Sequence, residues 1–202
     1  MESGRTILIV GGGVVGSSIA YHLRLDGHTG RVVVIERDPT YTRASSSLAM
    51  GGIRQQFSSA VNVKLAQYST RFYTTFDRRM RVPSHTPKVN FRQRGYLFLV
   101  DDASADRFES RVERQRSIGA RVERLNLDQL RARMPDIRLD DIRFGVFGPH
   151  DGYLEPREVL AGFRAAASAA DVDYVTAEVV DLVMRSGQVE GVVLDSGERL
   201  MA

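Results

Sequence analysis

The hydrophobic and polar positions open on a short apolar run, residues 5–10 (RTILIV), too continuous for an amphipathic helix. It predicts a strand buried on both faces. Val15, Ile19 and Leu23 then recur at four-residue spacing and predict a helix over 14–25. The turn Asp26-Gly27-His28-Thr29-Gly30 leads into a second apolar strand, Arg31 to Glu36. Strand, helix and strand within about 32 residues predict a parallel βαβ unit. Residues 37–57 show no clear regular element. From Ser58 to about Met80 the spacing predicts a helix with Val61, Leu65, Tyr68, Phe72 and Phe76 along one face, an aromatic stripe read as core. Further on, a strand is expected at about 92–100, a helix at 103–118, a short strand near 121–125, and a helix from Leu127 to Met134 closed before Pro135. A strand at 144–148 and a helix from Pro156 to about Ala170 follow. Three β segments, 172–183, 188–194 and 198 onward, complete the chain; the last is cut short at Ala202, and truncation relative to a longer parent is expected.

The chemistry begins between the first strand and helix, where Gly11, Gly13 and Gly16 supply the pattern G-x-G-x-x-G around Val14 and Val15. Alone the pattern is weak. Here it follows an apolar strand, opens a helix, and precedes by twenty residues an acid, Glu36, at the end of the second strand. A glycine at 11 permits the tight turn, one at 13 lets main chain approach a pyrophosphate, and one at 16 lets helix and strand pack closely. The helix N-terminus offers unpaired N–H groups and partial positive charge to phosphates. Glu36 suits a ribose diol and disfavours the 2′-phosphate of NADP.

FAD and NAD share this fingerprint, so the segment after Glu36 decides between them. A crossover helix into a third strand would suit an NAD dehydrogenase. Instead the chain runs through Ser45-Ser46-Ser47, Met50 and Gly51-Gly52-Ile53-Arg54. Small hydroxyl residues and paired glycines suit a backbone lying tightly against a second part of an extended cofactor. With Glu36-Arg37, the stretch Asp151-Gly152-Tyr153-Leu154-Glu155-Pro156, and the closing pattern Val179-Val180, Gly191-Val192, Gly197, nearly the whole chain resembles the D-amino-acid oxidase/sarcosine oxidase-type (DAO) family of FAD-dependent oxidoreductases.

The resemblance implies an α/β fold, a Rossmann-like FAD-binding domain of glutathione-reductase type into which an α+β substrate domain is inserted. The expected division is residues 1–80 and 151–202 for FAD and 81–150 for substrate. It further implies that Glu36 holds the adenosine ribose with Arg37 beside it, and that Ser45, Ser46 and Ser47 contact the pyrophosphate and ribityl chain. Met50, Gly51 and Gly52 would lie along the isoalloxazine, and Val179 would meet the adenine through its backbone. Arg54 matches an arginine that pairs with the substrate carboxylate in sarcosine-oxidase-like members; an ion pair within the protein or a cofactor-phosphate contact are the other readings of it. The implied reaction takes a hydride from the carbon next to nitrogen to flavin N5 and leaves an imine that water hydrolyses. No histidine or cysteine stands at a flavin-tethering position, so FAD is expected to be non-covalent, and the chain alone is expected to turn over poorly.

Composition narrows this picture. There are no cysteines among 202 residues, which excludes disulfides and a thiolate nucleophile. No apolar run is long enough to span a membrane, no secretory signal opens the chain, and a cytoplasmic location is expected. The net charge is +3, and 26 of 28 basic residues are arginine, spread along the chain rather than clustered as nucleic-acid binding favours. His22, His28, His85 and His150 and the carboxylates show no metal spacing; Tyr96 and Phe98 are weaker pocket candidates. A small amine or amino acid is the expected partner, with the electron acceptor open. Two other functions share the opening fingerprint: a flavin monooxygenase, and a flavin-containing respiratory-complex assembly protein, the latter suggested by the segment Gly51 to Phe57.

Overall fold

Residues 5–202 are described by a computed structural model. In chain order they form β1 (Ile7–Val10), α1 (Val14–Leu25), β2 (Val32–Glu36), α2 (Ser45–Leu48), β3 (Gly52–Ile53), α3 (Ala60–Tyr73), α4 (Phe76–Arg79), β4 (Tyr96–Val100), α5 (Ala105–Ser117), β5 (Glu123–Leu125), α6 (Leu127–Arg133), β6 (Phe144–Gly148), β7 (Gly152–Tyr153), α7 (Pro156–Ala169), β8 (Asp173–Thr176), β9 (Val179–Arg185), β10 (Gln188–Leu194) and β11 (Arg199–Met201). They divide into two compact units. The first holds the described residues up to Ala49, Phe76–Val89 and Glu155–Ala202; the second holds Met50–Thr75 and Asn90–Leu154. Both units are discontinuous in sequence, and α3 belongs to the second.

In the first unit β1, β2 and β8 form a parallel sheet with β2 central. The continuous apolar run of β2 is explained by burial on both faces. Val32 and Val34 pack with Ile9, Ala20, Ala167 and Val172 on the side of α1 and α7, whereas Val33 and Ile35 pack with Val192 and Leu194 of the antiparallel sheet β11-β10-β9. The stretch 172–183, which reads as one β segment, is two strands in different sheets: β8 extends the parallel sheet and β9 opens the antiparallel one. The face of α1 also differs from the expected one. Gly16, Ser17 and Ala20 are buried, while Val15 and Ile19 are 70% and 48% exposed. Small residues let a helix approach its neighbours closely, and that closeness outweighs the larger apolar side chains.

The second unit is built on the antiparallel sheet β4-β6-β5. Alternation along β6 divides its core. Phe144 and Val146 join Val63, Val100, Val112 and Val122, and Phe147 packs with Leu125, Leu130 and Leu139. Residues 37–57, expected to lack regular structure, contain α2 and β3, and β3 pairs with β7 through Gly52 and Tyr153. The expected helix 58–80 is interrupted. α3 ends at Tyr73, where the Thr74 and Thr75 hydroxyls donate to the carbonyls of Arg71 (2.7 Å) and Phe72 (3.2 Å), and Phe76 belongs to the separate α4. The predicted apolar stripe is core only at its end: Val61, Leu65 and Tyr68 are 66%, 59% and 53% exposed, whereas Phe72 and Phe76 are buried, and α3 also buries Val63, Ala66 and Thr70. Among the described residues no helix is long and apolar enough to cross a membrane, and no group of histidines and carboxylates is placed to hold a metal.

Candidate functional site

In the first unit the fingerprint glycines occupy the turn from β1 into α1, and each is required for a different reason. Gly11 has φ +97, a left-handed conformation that L side chains rarely adopt. A Cβ on Gly16 would stand 2.0 Å from the Gly11 carbonyl oxygen, so helix and turn could not keep their distance. A Cβ on Gly13 would meet nothing within 4 Å: that position faces open space, at the start of a helix with no side-chain cap. Gly12, to which the fingerprint gives no role, is also confined, since a Cβ there would lie 2.8 Å from the Tyr41 hydroxyl and 3.1 Å from Glu36 Cβ.

The Glu36 carboxylate is fixed by main chain. Its Oε2 accepts the Gly12 N–H at 2.8 Å and its Oε1 the Asp38 N–H at 2.9 Å, leaving a lone pair on each oxygen for further donors. Glu36, Arg37 and Val179 line one cleft of 370 Å³ together with Gly11, Tyr41 and Arg43. Arg37 points to solvent and pairs with Glu178 at 3.2 Å. Such exposed pairs contribute little to stability. Ser46 is buried, and its Oγ accepts the Val14 N–H at 3.4 Å at the mouth of α1; Ser47 accepts Arg157 Nε through its carbonyl at 3.3 Å, and Ser45 is exposed at the start of α2. Open space beside bare glycines, the positive end of α1 and a pinned carboxylate opposite fit the diphosphate and ribose of an adenine dinucleotide.

Several residues behind this turn escape sequence reasoning. Ser17, fully buried, donates to the Gly12 carbonyl at 2.7 Å and accepts the Tyr174 hydroxyl at 3.0 Å. The Arg164 guanidinium lies over the rings of Tyr41 (5.2 Å) and Tyr174 (5.7 Å). Burial pushes both phenols above the usual tyrosine range. Tyr174 and Arg164 are more than a hundred residues from the glycines in sequence, so no spacing rule links them; Tyr41 and Arg43 follow Glu36 closely but lack any periodic signal.

In the second unit Met50 is 98% exposed, Gly51 takes φ 76 and accepts the Leu154 N–H through its carbonyl at 3.0 Å, and Gly52 sits in the β3–β7 pair. Arg54 follows directly. Its guanidinium is framed by the rings of Phe57 (5.2 Å), Phe98 (5.4 Å) and Tyr96 (5.8 Å), which makes the two weaker aromatic candidates its neighbours. Among the described residues Arg54 makes no ion pair, although its charge acts on the Asp151 carboxyl. The segment is held by Asp151, only 1% exposed, which accepts the Gln55 N–H at 2.9 Å and Gln56 Nε2 at 3.1 Å. Burial pushes the Asp151 carboxyl above its usual range, opposed by those hydrogen bonds and by His150 and Arg54. His150 itself turns outward: its carbonyl accepts Gln93 Nε2 and its Nε2 lies 3.3 Å from Arg121.

With this geometry in hand, comparison with known proteins is direct. The model of the family "FAD dependent oxidoreductase" (DAO) matches residues 6–202. FAD-dependent oxidoreductase domain-containing protein 1 of Bos taurus is 37% identical over 199 residues, which is 96% of this chain and 40% of that protein. Among solved structures, L-proline dehydrogenase from P. horikoshii superposes with a TM-score of 0.81 at 25% identity, covering 98% of this chain and 50% of the other. Glycine oxidase from Geobacillus kaustophilus gives 0.78 at 26% identity, covering 97% and 52%. The chain thus spans less than half the length of the bovine relative and about half of each of these two solved chains. The match over residues 6–202 and the parallel βαβ unit with its pinned Glu36 agree, and this chain belongs to the DAO family of FAD-dependent oxidoreductases.

Proposed function

We propose that this chain seats FAD non-covalently against the β1–α1 turn, and that it serves oxidation of the carbon–nitrogen bond in a small amine or amino acid. In this reading the main chain around Gly11 and Gly13 receives the diphosphate, Glu36 accepts from the ribose hydroxyls, and Val179 borders the adenine. Ser45, Ser46, Ser47 and Arg37 assist along the diphosphate and ribose, and Met50, Gly51 and Gly52 approach the ring system. FAD, when bound, supplies a two-electron acceptor for the hydride leaving the carbon beside nitrogen. The observation that carries the substrate class is Arg54: a guanidinium in no ion pair, set among three aromatic rings. A planar donor fork in that setting suits a carboxylate, which it binds and orients. The solved relatives at 25% identity or more, L-proline dehydrogenase and glycine oxidase, support the same class.

The test combines flavin retention with anaerobic amine titration of the purified chain, following bleaching of the bound flavin. Arg54→Gln is expected to weaken carboxylate-bearing substrates by about tenfold to a hundredfold, and to change a decarboxylated analogue by less than about threefold. Equal losses for both would remove Arg54 from the carboxylate role. Glu36→Ala is expected to weaken FAD by about tenfold to a hundredfold, read by flavin fluorescence on titration, because two main-chain donors and the ribose diol lose one acceptor together. FAD held tightly but bleached by no amine, in a full-length relative as well as in this chain, would favour the assembly-protein reading.

A further inference from the structure

The second unit contains a cavity of 180 Å³ whose lining includes Arg54, Arg111, Gln56, Gln115, Phe98 and Phe108, and no acidic residue. At ~30 Å³ per liquid water that is room for roughly six waters, the scale of a very small organic acid. The two arginines stack on different members of one aromatic pair: Arg54 lies 5.4 Å from the Phe98 ring and Arg111 5.5 Å from the Phe108 ring, with the two rings 5.8 Å apart. Like Arg54, Arg111 makes no ion pair among the described residues. Two positive charges therefore border a small, partly apolar space that no carboxylate lines, and each fork can satisfy a whole carboxylate by itself.

The other two polar residues point the same way with opposite polarity. Gln56 and Gln115 are 8% and 4% exposed, and the Oε1 atom of each is buried without a hydrogen-bond partner. Their orientation is set by neighbours that only accept: Gln56 Nε2 donates to the Tyr96 carbonyl at 2.9 Å and to Asp151 at 3.1 Å, and Gln115 Nε2 donates to the Phe57 carbonyl at 2.9 Å. Exchanging oxygen and nitrogen would break these bonds, so the unpaired atoms are acceptors. A buried acceptor left unsatisfied is costly, and both of these belong to residues that line the cavity, so a ligand that donates N–H would relieve them.

We infer that this cavity takes a small amino acid bearing two carboxylates, one on Arg54 and the second on Arg111, with its nitrogen donating to the amide oxygens of Gln56 and Gln115. The inference rests on the reading of Arg54 as a carboxylate anchor and extends it to the substrate's second charge. A zwitterion with one carboxylate is neutral and leaves both cations uncompensated in sum; an aminodicarboxylate carries a net negative charge and supplies one anion to each fork.

Isothermal titration of the chain with L-aspartate, iminodiacetate, glycine, N-methylglycine and succinate tests it without any need for flavin reduction. The tighter of the two aminodicarboxylates is expected to bind at least about tenfold more strongly than either monocarboxylate, and succinate, which has no N–H, about tenfold more weakly than L-aspartate. Arg111→Gln is expected to bring the dicarboxylate-to-monocarboxylate ratio close to one. Arg111→Lys, which keeps the charge and loses the fork, should lower that ratio in part, and it serves if the first variant does not fold by circular dichroism. A ratio near one in the unaltered chain, a ratio untouched by either variant, or succinate binding as tightly as aspartate would each overturn the inference. Preserved binding ratios with no flavin reduction in a full-length relative would instead defeat the amine-oxidation reading alone.

Discussion

Gly16→Ala is expected to lower the thermal midpoint and to reduce FAD binding by more than about a hundredfold, whereas Gly13→Ala reduces FAD binding with the midpoint almost unchanged. The contrast comes from what each new methyl meets. At Gly16 the Cβ would stand 2.0 Å from a main-chain oxygen of the same turn and 3.1 Å from Ile9, neither of which can move without displacing β1 or the turn itself. Overpacking of this kind costs about 1–3 kcal/mol, which in a domain of this size is a fall of roughly 2–12 °C. At Gly13 the Cβ meets no protein atom within 4 Å, and the backbone there is not left-handed, so the fold tolerates it. The methyl instead enters the space assigned to the diphosphate. Differential scanning fluorimetry and flavin titration of the two variants separate the effects. An unaltered FAD affinity in Gly13→Ala would sink the proposed seat for the diphosphate.

The second large effect is expected at Asp151. This residue is 1% exposed and belongs to the loop between β6 and β7, yet its carboxylate holds Gln55 and Gln56, 95 or more residues earlier. Asp151→Ala strands the Gln55 N–H and removes one of the two acceptors of Gln56 Nε2. At about 1–3 kcal/mol for a buried unsatisfied donor, plus the lost packing, a loss of about 2–4 kcal/mol in urea unfolding is expected. The disturbance reaches Arg54, the chain neighbour of Gln55, so substrate affinity should fall in parallel. Asp151→Asn isolates the charge. Burial raises the folded-state pKa of Asp151 above its unfolded value, so the folded chain binds the proton more tightly. Its contribution to stability is full below the unfolded pKa of 3.8 and is lost as pH rises through the raised folded value. The stability of the unaltered chain relative to Asp151→Asn should therefore increase as pH falls from neutral toward acid. A difference that is flat or reversed over that range would mean that the carboxyl is not held above its usual range.

What could be read along the chain, and what could not, divides by distance. The βαβ unit was legible because each of its parts is local: four consecutive apolar residues of β2 report burial on two faces, and Gly11, Gly13, Gly16 and Glu36 form one fingerprint through a turn, a helix end and a strand end that follow directly. The family's motifs in Gly51-Gly52-Ile53-Arg54 and in Asp151-Gly152-Tyr153 were legible in the same way, as short fixed patterns. Periodicity misled where the neighbour, not the side chain, decides the buried face. On α3 the large apolar set Val61, Leu65, Tyr68 is exposed, and on α1 a glycine, a serine and an alanine form the face against which α7 comes close.

The sequence by itself thus determined the elements whose reason for existing is local, which are the dinucleotide turn, its acid and the class of the fold. Only the tertiary structure decided which strands share a sheet, that 172–183 divides between two of them, and that Ser17 and Tyr174 brace Gly12 from behind. It alone brought Arg111 and Gln115 of α5 beside Arg54 and Gln56 at one cavity. The physical reason is common to all of these: hydrogen bonds and close contacts between residues far apart in sequence form once the core has set the distances, and no spacing along the chain encodes them.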